Sequence, residues 1–198
     1  NYSALAGAFH AFDPATYGYP NLPAYLVFDS QYRERYPLAS FMPGTALPDW
    51  VATAETMAEL AEKIGVDGNN LPATVERFNT LAEQLDDADY GRGKTGYDRF
   101  YGDRSRAGAA ATLGSLTKAP FYAVEINMGA LGTNGGPRTN AQGQILDVDD
   151  QPIAGLFGAG NVISAPTGSV YAGAGGTLGP ALTFGYIAGR AAARRVNH

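Results

Sequence analysis

Apolar residues along the chain change their spacing several times, and each change predicts an element. Leu26, Val27 and Phe28 stand together and end at Asp29, a short buried-strand run. Charge takes over in "SQYRERY", which predicts a helical turn stopped by Pro37. In "ATAETMAELAEKIGV" (52–66), Met57, Leu60 and Ile64 recur at i, i+3 and i+7, predicting a helix with Thr53 as its cap and Gly65 as its stop. "LPATVERFNTLAEQL" (71–85) predicts a second helix, with Pro72 near its first turn and Val75, Phe78 and Leu81 or Leu85 inward. Residues 1–23 lack a period and read as loop with room for one short helix. Residues 86–108 are polar and rich in Gly and Tyr, and read as surface excursion.

From Pro120 the texture changes. "PFYAVEI" is a strand, and "GALGTNGGPRTN" carries tight glycine turns. "AQGQILDVDDQPI" reads as a hairpin, with turns at Gln142-Gly143 and at 149–152 around a strand at 144–148. "AGLFGAGNV" (154–162) reads as a buried strand entering a Gly-rich turn. A helix is predicted from about 180 to 195, with Pro180 in its first turn and Arg190, Arg194 and Arg195 at its negative end. A boundary near residue 128 separates two regions, 1–128 and 129–198.

The chain has 198 residues, 45% hydrophobic and 17% charged, so a sizeable core is expected. The formal charge is −5 and no basic run exceeds Arg194-Arg195, which argues against a nucleic-acid partner. No apolar run is long enough to span a bilayer and no signal peptide opens the sequence, so the expected location is the cytoplasm. Cysteine is absent and only His10 and His198 are present, so no metal site is expected. The first residue is Asn1 rather than Met, and the expectation is a piece of a longer protein.

Two Gly-rich segments, 158–161 and 173–179, bracket a dozen residues. Glycine permits unusual backbone angles and close approach to a flat or anionic ligand. Two readings stand side by side: a pair of packing turns, or a cofactor cradle. Neither segment makes a good G-x-G-x-x-G fingerprint, and the βαβ unit such a motif needs is missing. A helix start fits better. The N–H groups of Thr177, Leu178 and Gly179, with the positive helix end, converge where negative charge would be stabilised, as on a reduced flavin.

"PFYAVEI…LGTNGGPRTNAQGQIL…PIAGLFGAGNV…YAGAGGTLGPALTFGYIAG" closely resembles the C-terminal half of FAD-dependent 3-ketosteroid Δ1-dehydrogenases, within the fumarate reductase/succinate dehydrogenase flavoprotein superfamily. "VFDSQYRERYP", "GVDGNNLPATVERFN" and "DYGRGKTGYDRFYGD" resemble the catalytic domain of that family in the same order. The most specific element runs from Tyr171 to Gly185. The resemblance implies an α/β protein: residues 1–128 as part of an α+β catalytic insert, and 129–198 as the C-terminal part of a Rossmann-like FAD domain. The fingerprint-bearing N-terminal half would then lie on the same or a separate chain. FAD is the implied cofactor and a 3-ketosteroid-like ketone the implied substrate.

Residue roles follow from the same likeness. Tyr171 (hydroxyl) and Gly175 (backbone N–H) would hold the ketone oxygen and stabilise enolate charge, while Tyr2 would take the proton and hydride would pass to flavin N5. Gly160 and Asn161 would meet the ribityl or phosphate region, the Leu178 N–H the flavin pyrimidine edge, and Gly135 and Gly136 a turn beside the cofactor. The family usually has Pro after the Tyr and Met-Gly before it; here Ala172 and Thr167-Gly168 stand instead. A fumarate-reductase-like reductase is an alternative, but its carboxylate clamps are missing, since no Arg, Lys or His occurs from Ile163 to Tyr186. A non-catalytic flavin-binding fragment or subunit is the other alternative.

Overall fold

The computed structural model describes the backbone of residues 2–129, 132–168 and 173–196. The chain divides into two compact units, Asn1–Met128 and Gly129–His198.

The first unit is built on an antiparallel sheet of β1 (Ala24–Asp29), β3 (Phe121–Ile126) and β2 (Ala52–Ala54), in the order β1-β3-β2. Strand alternation gives the sheet two apolar faces. Phe28 and its register partner Tyr122 stack on one face with Val124, over Leu38 and Val51. Val27, Ala123, Phe121 and Ala54 lie on the other, against Leu60, Met57, Ile64 and Leu71. Those last residues come from helices α3 (Met57–Ile64) and α4 (Asn70–Gln84).

The predicted helix at 52–66 is corrected at its start. Residues 52–54 pair with β3 as a strand, and the cap is Thr56 rather than Thr53. The Thr56 hydroxyl accepts the N–H of Glu59, and the Glu59 carboxylate accepts the N–H of Thr56, a reciprocal capping box. Gly65 ends the helix at φ +70°, a conformation glycine adopts at little cost. Helix α1 is Tyr2–Phe9 and helix α2 Ser30–Arg35.

Two buried aspartates hold the loops of this unit. Asp29 caps α2 and accepts from the N–H groups of Tyr32, Thr117 and Lys118 and from Gln31 Nε2. Burial alone would raise its pKa, but the donors outweigh burial and hold it below the usual aspartate value. Asp87, fully buried, accepts Arg92 Nε at 2.6 Å and the N–H groups of Asp89, Tyr90 and Arg92. The polar stretch read as excursion also contains a short helix, α5 (Gly96–Tyr101), whose aromatics Tyr97, Phe100 and Tyr101 are exposed.

The second unit consists of a hairpin, two glycine turns and one long helix. β4 (Gln144–Leu146) pairs antiparallel with β5 (Pro152–Phe157) through an irregular register. β5 was expected to be buried; instead Ile153 and Leu156 are exposed, 39% and 47%. A 3-10 turn, Gly160–Val162, follows β5, and α6 runs from Leu178 to Val196.

Candidate functional site

Glycine positions on the second unit bring four backbone segments together. Pro137–Thr139 lies along β4, with the Leu146 N–H donating to the Arg138 carbonyl and an Arg138–Asp150 ion pair closing the end. Its other side meets the turn after β5. The Gly135 N–H donates to the Asn161 carbonyl at 3.1 Å, and the Ser164 N–H to the Pro137 carbonyl at 2.9 Å. Gly136 is pressed against that turn. A methyl there would lie 2.7 Å from the Val162 carbonyl carbon and 3.2 Å from Ile163 Cα. Only a residue without a side chain permits this approach.

The same turn carries α6. Gly160 is buried at φ +71°, and a Cβ on it would sit 3.1 Å from Ala181 Cβ. Asn161 follows, half-buried. The predicted residues Gly135, Gly136, Gly160 and Asn161 thus form one cluster, joined to the first turns of α6.

At the start of α6 the donors are sorted by the loop before it. Gly173 and Gly175 have φ of +103° and +86°. The Gly176 N–H closes back on the Gly173 carbonyl at 3.0 Å, and the Gly179 N–H on the Gly175 carbonyl at 2.8 Å. Gly179 was expected to offer a free N–H. That is corrected: its hydrogen is taken by the first helical turn, as i→i−4 geometry requires. The N–H groups of Gly175, Thr177 and Leu178 have no acceptor among the described residues, and all three residues are exposed. Pro180 sits in the first turn, where its fixed φ suits a helix. Three neutral backbone donors at the positive end of a 19-residue helix suit carbonyl oxygens and delocalised negative charge. A flavin pyrimidine ring presents that chemistry, so the residues present fit the group.

Tyr171, the expected ketone donor, and its neighbour Ala172 lie outside the described residues. Tyr2 is the first residue of α1, in the other unit. Two further glycines pack within the cluster, neither of them among the predicted site residues. Gly158 would bring a Cβ within 2.6 Å of Ile163 Cγ2, and Gly143, at φ +77°, within 2.7 Å of Ala188 Cβ. Gly143 was legible as a turn residue, but its contact with α6, 45 positions on, leaves no mark in local spacing.

Among the described residues no group of three or more His, Cys, Asp or Glu could hold a metal ion. No helix among them is long and apolar enough to cross a membrane.

Comparison with known proteins bears on this geometry. Residues 10–178 match the FAD binding domain family. The chain is 46% identical over 190 residues to a 4-oxocyclohexanecarboxylate 2-dehydrogenase of Sinomonas cyclohexanicum, covering 96% of this chain and 33% of the relative. It is 46% identical over 174 residues to a 3-oxosteroid 1-dehydrogenase of Mycolicibacterium smegmatis, covering 85% and 30%. Among solved structures, it resembles the 3-ketosteroid delta1-dehydrogenase of Sterolibacterium denitrificans in complex with 1,4-androstadiene-3,17-dione. The TM-score there is 0.78 with 38% identity, covering 87% of this chain and 32% of that one. The chain therefore spans about a third of the length of the relatives it matches.

Proposed function

The chain belongs to the FAD binding domain family, and on that basis we propose that it carries the flavin-ring end of an oxidoreductase that desaturates a carbon–carbon bond next to a ring ketone. The observation that carries the reading is the trio of N–H groups, Gly175, Thr177 and Leu178, that have no acceptor among the described residues, inside the stretch from Tyr171 to Gly185. The dehydrogenase relatives named above act on cyclic ketones, a 3-oxosteroid in one case and an oxocyclohexane in another. Their shared piece, a ring carbonyl with adjacent C–H bonds, is the substrate class proposed here.

Leu178 and Thr177 donate their N–H groups to the pyrimidine edge of the flavin. Asn161 and Gly160 would hold the ribityl–phosphate portion, with the Gly135-Gly136 turn beside them. The cradle for the adenosine end, with its G-x-G-x-x-G fingerprint, is not among these 198 residues, and the reading takes it from the same or a separate chain. FAD, when bound, supplies the acceptor for the hydride that leaves the substrate.

The Tyr171 hydroxyl and the Gly175 N–H donate to the ketone oxygen. Two donors on that oxygen stabilise the enolate that forms when the neighbouring C–H loses its proton. Tyr2 receives that proton on its phenolate oxygen. A phenol titrates near pKa ~10, so Tyr2 needs a partner that favours its ionised form.

Fumarate-type reduction is disfavoured by the stretch from Ile163 to Tyr186, which has no cation to clamp a carboxylate. Anaerobic addition of a 3-ketosteroid or of 4-oxocyclohexanecarboxylate to the flavin-loaded protein tests the reading. Bleaching of the flavin absorbance by either ketone is expected. Bleaching by succinate and by neither ketone would overturn it.

A further inference from the structure

Helix α6 rests on the glycine turns at two points on one face. Gly160 faces Ala181, with 3.1 Å between a Cβ built on the glycine and the alanine methyl. Gly143 faces Ala188, where a built Cβ would lie 2.7 Å from Ala188 Cβ, 3.1 Å from its Cα and 3.4 Å from its N. Ala181 and Ala188 are seven residues apart, about two helical turns, so both contacts fall on the same side of the helix. Gly143 is itself fixed. Its N–H donates to the Asn140 carbonyl at 3.0 Å, and its carbonyl accepts the Gly158 N–H at 3.0 Å. The hairpin therefore presents a rigid notch to the rear of the helix, while the donors Thr177 and Leu178 stand at its front.

We propose that Gly143 is a positioning residue for the flavin: through Ala188 it sets the tilt of α6, and with it the place of the Thr177 and Leu178 N–H groups. This rests on the reading that those N–H groups meet the flavin. The lever is short and stiff. Ala188 lies about 10 Å behind the Ala181 contact and the two donors about 5 Å ahead of it. Relieving a 2.7 Å clash to ordinary contact moves Ala188 by about 1 Å, and a pivot at Ala181 then carries the donors about 0.5 Å the other way. That equals the tolerance within which a preorganised site must be held.

The test is a mutant cycle in the flavin-loaded protein, using Gly143→Ala, Ala188→Gly and the pair together. Two readouts are taken: the FAD dissociation constant and the flavin midpoint potential. Gly143→Ala is expected to weaken FAD binding about tenfold or more and to lower the potential, because donors that favour the reduced anion are displaced. Ala188→Gly removes the methyl that makes the closest of these contacts, so the double variant recovers part of both losses. Thermal stability behaves differently. An alanine at positive φ and a glycine inside a helix are each unfavourable, so the double variant stays below the wild-type melting temperature even as its flavin readouts recover. A merely structural role would make the flavin readouts follow the melting temperature. Should Gly143→Ala fold poorly, Ala188→Ser crowds the same notch from the helix side and must shift both readouts in the same direction.

Unchanged affinity and potential in a folded Gly143→Ala or Ala188→Ser protein would overturn the proposal, as would a double variant no better than Gly143→Ala. The cycle is run on the protein assembled with the region that supplies the adenosine cradle, and failure of the underlying reading looks different there: the unaltered assembly would bind no flavin.

Discussion

Gly136→Ala perturbs the candidate site with a single methyl group. Its Cβ would fall 2.7 Å from the Val162 carbonyl carbon, where unstrained carbon–carbon contact needs roughly 3.5–4.0 Å. The opposing atoms are backbone, so no side chain can swing aside, and the turn must retreat by about 1 Å. The Gly135 N–H to Asn161 bond, 3.1 Å, and the Ser164 N–H to Pro137 bond, 2.9 Å, then pass out of range. Two such bonds contribute about 1–3 kcal/mol together. Overfilling a packed contact adds about 1–3 kcal/mol, so a total of about 2–6 kcal/mol is expected. The displaced turn carries Asn161, so the FAD dissociation constant should rise at least about tenfold, or ~1.4 kcal/mol. Gly132→Ala serves as control, since nothing lies within 4 Å of a Cβ at that position; its effect should stay within ~0.5 kcal/mol. Urea melts and FAD titration of the apoprotein provide the numbers. A Gly136→Ala protein that melts with the control and binds FAD equally well would refute the close approach.

Other expectations concern the first unit. Asp87 is held well below the usual aspartate range, first by the hydrogen bond from Arg92 and then, against its burial, by backbone donors and the Arg92 charge. A lowered folded-state pKa means the stabilisation is complete above the ordinary value near 3.8 and is lost as pH falls below it. Asp87→Asn should therefore cost about 1–3 kcal/mol at pH 7, and its gap to wild type should narrow between pH 5 and pH 3; a gap constant over that range would contradict the assignment. Asp29→Ala removes the α2 cap and the anchor for Thr117 and Lys118. A loss of about 3 kcal/mol or more is expected in urea melts, and a loss below ~1 kcal/mol would show that those N–H groups find other partners.

Much of the fold was legible because period and burial coincide. Val27 and Phe28 point to opposite faces of a sheet that is apolar on both, so a continuous apolar run marked β1. Thr53 and Thr56 both look like caps, and Glu59, three residues after Thr56, is the feature that selects between them. "ATA" gives no strand signal of its own; pairing with β3 decides it. Helix α5 escaped notice because its large side chains face solvent, leaving no contrast between an apolar and a polar face.

At the site, letters identified the glycines but not their duties. Gly136 makes a close approach, whereas Gly179 has open space around it and a committed N–H. Which backbone N–H groups stay available depends on how the turn at 173–176 folds back. That is a three-dimensional outcome with no composition signature.

The central claim is that this chain brings a ring ketone against a flavin and holds its oxygen with Tyr171 and Gly175. Steady-state turnover of a 3-ketosteroid with an artificial electron acceptor, in wild type and in Tyr171→Phe, tests it most directly. Phe keeps the ring and removes one donor from the developing enolate. Losing one such donor lowers kcat by about 100- to 1,000-fold, roughly 3–4 kcal/mol. The rise in KM should be smaller and flavin content should be unchanged, because the proposed partner of the hydroxyl is the ketone and not the flavin. A Tyr171→Phe protein that keeps wild-type kcat on a ketone the wild type accepts would contradict the account.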